Sequence, residues 1–230
     1  MNKNFKLSKN HKLIEIESIE PANFIAPHWK FHLWFYSLND TDFLGKLKQI
    51  LLEEEKNIIK TYPAFNDGGT GLGFETVTSR YNTFNLFRIS RSEIKNLKNY
   101  IGLEFKKYLE SIQFEGNLDF SPMINCWFNV MDPGQSINLH SHNLSNTSFI
   151  SGHITISCED SYTYYITPYT KDRLEFVNNP GEGIFFPSYI EHGTSAHKGL
   201  EKRITLAFDL YYNVEQANSN IRNNLVELYD

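Results

Sequence analysis

The sequence holds eight histidines in 230 residues, and three of them fall within LHSHNLSNTSFISGH, residues 139–153. His140 and His142 are separated by one serine, the spacing that puts two imidazoles on the same face of an extended segment. Such a pair binds iron, zinc, nickel or copper, and a third ligand from a neighbouring strand would close a facial triad. His192 is the best third candidate, because GIFFPSYIEHGTSAH places it just after an expected strand and its proline turn. The plain alternative is that His140 and His142 are solvated loop residues satisfied by Asn143 or Asn146. His153 fits the apolar alternation of HITIS and reads as a core or cavity-wall histidine. His197 reads as part of a rim, while His11, His28 and His32 belong to no constellation.

Arg203 opens the run RITLAFDL. A guanidinium buried in a sheet is costly unless it is paired. Its planar fork matches a carboxylate through two parallel hydrogen bonds, so an internal arginine without an acidic partner asks for a bound anion. Thr205 has the same strand parity, and its hydroxyl can join that carboxylate. The competing expectation is a salt bridge from Arg203 to Glu191, Glu201 or Asp209.

The elements that must hold these groups follow from periodicity. LIEIESI alternates as a strand ended by Pro21, and the short apolar run FHLWFY at 31–36 is expected to follow as a second strand. DTDFLGKLKQILLEEEKNIIK, from Asp40, carries apolar residues at helical spacing, with Asp40 or Thr41 as cap. A second helix is expected over Ser90–Ile112, with Ser90 and Glu93 at the spacing of a capping box. Between the helices, residues 61–73 form a glycine-rich loop. Its GGTGLG lacks the Lys-Ser/Thr of a phosphate-binding loop and is better read as a flap near a site. Residues 74–89 are expected to be partly extended. After Pro122, short β-branched and aromatic runs separated by turns describe a compact antiparallel unit. The last residues are expected to end in a short helix containing Leu225 and Leu228.

Composition narrows the class. Aromatic residues make up 15% of the chain and charged residues only 21%, which suits a packed, sheet-rich fold rather than a disordered one. A formal charge of −5 argues against general nucleic-acid binding. Cys126 and Cys158 match neither a disulfide framework nor a metal pair, so both are expected as free thiols of a reducing compartment. With no apolar leader or membrane-length run, a cytoplasmic protein is expected.

Taken together, INLHSHNLSNTSFISGHITI, GIFFPSYIEHGTSAH, KRITLAFDL and the upstream WFNV resemble the iron(II)- and 2-oxoglutarate-dependent oxygenases. The resemblance is closest to a subfamily with an HxH, Phe-Pro-Ser, His, Arg pattern, and it covers about residues 120–212. It implies a mainly β fold with flanking helices (α+β) built on a double-stranded β-helix, the cupin-like jelly roll. The chain would be one oxygenase-like domain over 1–230: a helical and mixed cover (1–120), a β-helix core carrying the site (121–212) and a C-terminal tail (213–230).

The resemblance further implies that His140, His142 and His192 hold Fe(II). Arg203 and Thr205 would grip the distal carboxylate of 2-oxoglutarate, and Tyr164, or else Tyr162 or Tyr165, would join them. The implied activity is hydroxylation of a small-molecule or peptidyl substrate, with release of succinate and CO2. Trp127 and Phe185 are expected as apolar walls.

Position 142 departs from the usual pattern, in which the second ligand is Asp or Glu. Three neutral imidazoles leave Fe(II) at charge +2 instead of +1. Asp132, Glu159 or Asp160 could supply the missing carboxylate. The alternatives are a three-histidine cupin-like metalloenzyme that does not use 2-oxoglutarate, and a non-catalytic β-sandwich serving as a binding or structural module.

Overall fold

A computed structural model describes residues 3–4, 11–19, 24–25, 27–114, 121–142, 148–212, 214–217 and 219–229. Asn143 and Asn146, the alternative partners of the paired histidines, and Pro21 lie outside the described residues. The strands are β1 (Lys3–Asn4), β2 (Lys12–Glu17), β3 (Lys30–Ser37), β4 (Met123–Met131), β5 (Ser148–Ser157), β6 (Tyr162–Ile166), β7 (Arg173–Val177), β8 (Glu182–Pro187), β9 (His192–Thr194), β10 (Arg203–Tyr211) and β11 (Val226–Glu227). The helices are α1 (Thr41–Thr61), α2 (Ser92–Ser111) and α3 (Ser219–Asn224).

The expected closed jelly roll, or double-stranded β-helix, does not form. The strands divide into a seven-stranded sheet, ordered β11-β4-β10-β5-β8-β3-β2, and a four-stranded sheet, ordered β1-β7-β6-β9. Among the described residues no ladder closes one sheet onto the other. The fold is mixed α/β: two sheets, antiparallel apart from the short parallel β1–β7 pairing, with flanking helices. The reason lies in segments read from sequence as cover. β3 pairs with the edge of β8, placing Trp34 opposite Phe185, and β2 pairs with β3, so the large sheet extends outward instead of curling shut.

Strand alternation sorts the core. In β3, Trp34 and Tyr36 point to the helices while Phe31, Leu33 and Phe35 point between the sheets. In β10, Ile204, Leu206, Phe208 and Leu210 pack toward the helices, against residues such as Leu97, Ile101 and Phe105 of α2. Leu47 and Leu51 of α1 are fully buried in the same cluster, each side chain contributing about 1.5–3 kcal/mol. Between the sheets, the β3 and β8 end is closed by apolar packing of Phe35, Phe176, Tyr165 and Phe186. The β4, β10 and β5 end presents polar residues instead, and there the cavity opens.

Local predictions fared unevenly. α1 begins as expected, with the Asp40 carboxylate accepting from the Phe43 N–H at 2.9 Å. The capping box at Ser90 is not formed, since α2 has Arg91 as N-cap with no side-chain cap bond. Residues 74–89 hold two 3-10 turns, Thr78–Arg80 and Leu86–Arg88, rather than a strand. The C-terminal helix α3 stops before Leu225.

Candidate metal centre

β10 forms the floor of the site. Thr205 lies between Asn129 of β4 and Thr155 of β5, Ala207 between Trp127 and His153, and Asp209 between Asn125 and Ser151. Arg203, opposite Met131, ends this row on the same face. The cavity over the floor has a volume of about 220 Å³. Residues 65–70 form part of its wall, so the glycine-rich stretch does sit beside the site. It is pinned there: the Asp67 carboxylate accepts from the N–H groups of Gly69 and Gly73, and Thr70 O accepts from Asn138 N. Gly68, Gly69, Gly71 and Gly73 all have positive φ, a turn that only glycine adopts readily.

The three predicted histidines meet at one point. Their ligand nitrogens all lie within 4.8 Å of one another. His140 and His192 are clasped by a reciprocal pair of backbone bonds, His140 N to His192 O at 3.0 Å and His192 N to His140 O at 2.9 Å. The His142 N–H donates to Ser188 O at 3.0 Å. Each ring also has an oxygen at Nδ1: Asn138 O at 2.8 Å for His140, Asp209 Oδ1 at 2.6 Å for His142 and Ile190 O at 3.2 Å for His192. Donation at Nδ1 leaves Nε2 as a lone-pair donor on all three.

The Nε2 atoms of His140 and His142 stand 3.3 Å apart. Two lone pairs facing at that distance repel unless a cation lies between them, and two nitrogens bound at about 2.1 Å to one ion would show such a separation. Burial and the neighbouring His142 hold the His140 imidazole down at about 4, and burial together with His140 and His142 holds His192 well below the usual value. Both are therefore neutral near pH 7, the form that binds metal. The donor set fits a first-row transition metal, iron among them.

Arg203 is 1% exposed, and no salt bridge among the described residues includes it. Its Nη1 lies 3.1 Å from Met131 Sδ, and its Nε has no partner. Burial lowers its affinity for the proton, opposed by contact with the Cys158 thiol. The acids proposed against it are engaged elsewhere in two cases: Glu191 pairs with Lys171 and Asp209 with His142. Thr205 Oγ1 is likewise buried and unpartnered.

His153, which burial and the Arg203 charge push down to about 3, takes the Tyr165 hydroxyl at Nε2 at 2.9 Å. Burial raises the Tyr165 phenol, so the phenol donates and the His153 proton sits on Nδ1, without an acceptor. Three buried donors in one cavity therefore lack acceptors, which is the chemistry of a missing anion.

Other assignments divide. Trp127 lines the cavity, whereas Phe185 packs toward the helices and Phe186 takes the wall position. Tyr164 faces away from the cavity, its ring covered by the Arg173 guanidinium at 3.7 Å. Tyr165, of opposite parity, is the inward tyrosine. Asp132 pairs with Lys202, and Glu159 accepts from the Leu200 N–H, so neither reaches the centre. The carboxylate near the ligands is Asp209, which sequence reasoning placed only as a possible partner of Arg203. Its parity with Arg203 and Thr205 was the available signal. Cys126 and Cys158 are free thiols, as expected.

Comparison with known proteins follows this geometry. Residues 125–209 match the family model described as "Putative 2OG-Fe(II) oxygenase". No curated protein sequence matches the chain. Among solved structures, a prolyl-4-hydroxylase from Pseudomonas putida aligns over 78% of this chain and 92% of its own, with 9% identity and a TM-score of 0.55. The α-ketoglutarate-dependent epimerase SnoN of nogalamycin biosynthesis aligns over 78% and 76%, with 11% identity and a TM-score of 0.51. The carbocyclase SnoK of the same biosynthesis aligns over 78% and 79%, with 9% identity and a TM-score of 0.50. At these identities the likeness is one of fold.

Proposed function

We propose that the chain is a three-histidine metalloenzyme of the Fe(II)/2-oxoglutarate oxygenase-like superfamily, in which Arg203 seats the carboxylate of a bound small molecule or peptide; the family-model match over residues 125–209 and the histidine cluster support this reading. The observation that carries this reading is the convergence of three Nε2 lone pairs, each fixed by an oxygen at Nδ1. An iron ion bound there would supply dioxygen-dependent oxidation of its substrate. The chain's own contribution is placement. His140 and His192 are held by their backbone clasp, and His142 by Ser188 and Asp209. Arg203, Thr205 and His153 present N–H and O–H groups to an anion, and the pinned 65–70 wall and Trp127 restrict water.

Two versions differ in whose carboxylate Arg203 takes. The all-imidazole ligand set supports an enzyme that acts without 2-oxoglutarate, on a substrate bearing its own carboxylate. A more positive ion holds an anionic substrate firmly but gives up a further electron less easily than one with a carboxylate ligand. The unpaired donors of Arg203, Thr205 and His153 support a second version, in which 2-oxoglutarate occupies the seat and hydroxylation is coupled to release of succinate and CO2.

Anaerobic titration of the Fe(II)-loaded protein with 2-oxoglutarate separates them. A visible metal-to-ligand charge-transfer band, weakened by Arg203→Ala, selects the second version. Bound iron without that band selects the first. Failure to bind iron or any other divalent metal contradicts both.

A further inference from the structure

Beside the site, three serines and an aspartate that do not bind the ion form one hydrogen-bonded chain ending at His142. Asp209 Oδ1 accepts from His142 Nδ1 at 2.6 Å and from Ser151 Oγ at 2.5 Å. Ser151 Oγ lies 2.9 Å from Ser188 Oγ, which lies 2.6 Å from Ser148 Oγ. A hydroxyl has one proton and a carboxylate only accepts. Ser151 therefore gives its proton to Asp209, and the other two hydroxyls follow in line from Ser148 through Ser188. Ser188 holds His142 a second time, through its carbonyl. Asp209, Ser148, Ser151 and Ser188 are all buried, so water does not compete for these bonds.

The three ligands are not backed alike. Neutral carbonyls stand behind His140 and His192, at 2.8 and 3.2 Å, whereas a carboxylate stands behind His142 at the shorter 2.6 Å. Hydrogen bonds to ionised acceptors are both shorter and stronger. The one histidine backed by an acid is the one occupying the place where an acidic ligand is the usual choice.

We propose that Asp209, supported by Ser151 and Ser188, is a positioning residue for His142: it locks the Nδ1–H tautomer, aims Nε2 at the ion, and restores the missing ligand's negative charge one imidazole further out. The inference rests on the three-histidine reading above. It makes the serine before Gly152, the serine after Pro187 and the aspartate of β10 parts of one device, although they lie on three different segments.

The test is anaerobic titration of metal-free protein with Co(II), read by its d–d absorption, in wild type, Asp209→Asn and Asp209→Ala. Wild type takes up one Co(II) per chain. Asp209→Ala binds it roughly 10–100-fold more weakly, the usual loss when such a supporting partner is removed. Asp209→Asn, which keeps an acceptor but not the charge, falls between the two and shifts the d–d bands. The metal-free Asn variant melts close to wild type, which separates positioning from a structural role.

If Asp209→Ala does not fold, the nearly isosteric Asn variant decides. Asp209→Asn with affinity within twofold of wild type and unshifted bands overturns the inference while leaving the metal reading intact. Wild type that takes up no Co(II) overturns the metal reading and this inference with it.

Discussion

Replacing Arg203 by methionine separates binding from stability. The guanidinium is 1% exposed, touches Met131 Sδ and Cys158, and has no acid beside it. Exchanging buried charge for an apolar side chain of similar volume is often neutral or stabilising by about 1–4 kcal/mol. Arg203→Met is therefore expected to raise the melting temperature of the ligand-free protein by at least about 2 °C, given roughly 2–4 °C per kcal/mol at this chain length. Binding moves the other way. Removing one partner of a buried charge pair costs about 2–5 kcal/mol, or roughly 30-fold to several thousand-fold in affinity.

Thermal melts with and without glutarate or 2-oxoglutarate read both effects. At a ligand concentration of about 100 Kd the wild type gains about 2.7 kcal/mol, and the variant at that same concentration gains less than about 1 kcal/mol. A variant that loses more than about 2 kcal/mol without ligand, yet keeps the full ligand-induced shift, would refute the anion seat and make Arg203 a packing residue.

Three further outcomes are expected. Gly152→Ala places a Cβ against the Phe208 ring and 2.8 Å from Ile184 O; it should cost about 1–3 kcal/mol in denaturant melts through overpacking, and wild-type stability would contradict the register of β5 between β8 and β10. Tyr165→Phe removes the donor to His153 Nε2 and should cost about 1–3 kcal/mol, as for any buried group left unsatisfied; an unchanged melting curve would contradict that pairing. Stability of the metal-free protein should fall as pH drops below about 6.5, because the unfolded chain takes protons that folded His140, held at about 4, and His153, held at about 3, refuse. The slope is about 1.4 kcal/mol per pH unit for each imidazole, and a flat profile between pH 6.5 and 4 would contradict their burial.

Residue type and spacing carried much of the site. The HxH pair and the histidine after the Phe-Pro-Ser turn were legible as one cluster because each is chemically unusual where it stands, and strand parity put Arg203 and Thr205 on one face of β10. What escaped the sequence depends on register across strands. Asp209 reaches His142, 67 residues away, only because β10 lies between β4 and β5, and Ser151 faces Asp209 for the same reason. The resemblance favoured Tyr164, but its ring lies against Arg173, and Tyr165 of the opposite parity is the one that reaches His153. The jelly-roll expectation failed on a similar point. The alternation of 13–19 and the apolar run at 31–36 were read as strands, but neither could say that they would extend the sheet beyond β8. Helix α1 was legible because its cap and apolar face are local, within a few residues of one another.

No helix among the described residues is long and apolar enough to cross a membrane. X-ray absorption at the metal edge of the iron- or zinc-loaded protein tests the centre itself. Three imidazole nitrogens at about 2.0–2.2 Å are expected, falling to two in His192→Ala. A first shell with fewer than three imidazoles, or one that His192→Ala leaves unchanged, would contradict the account.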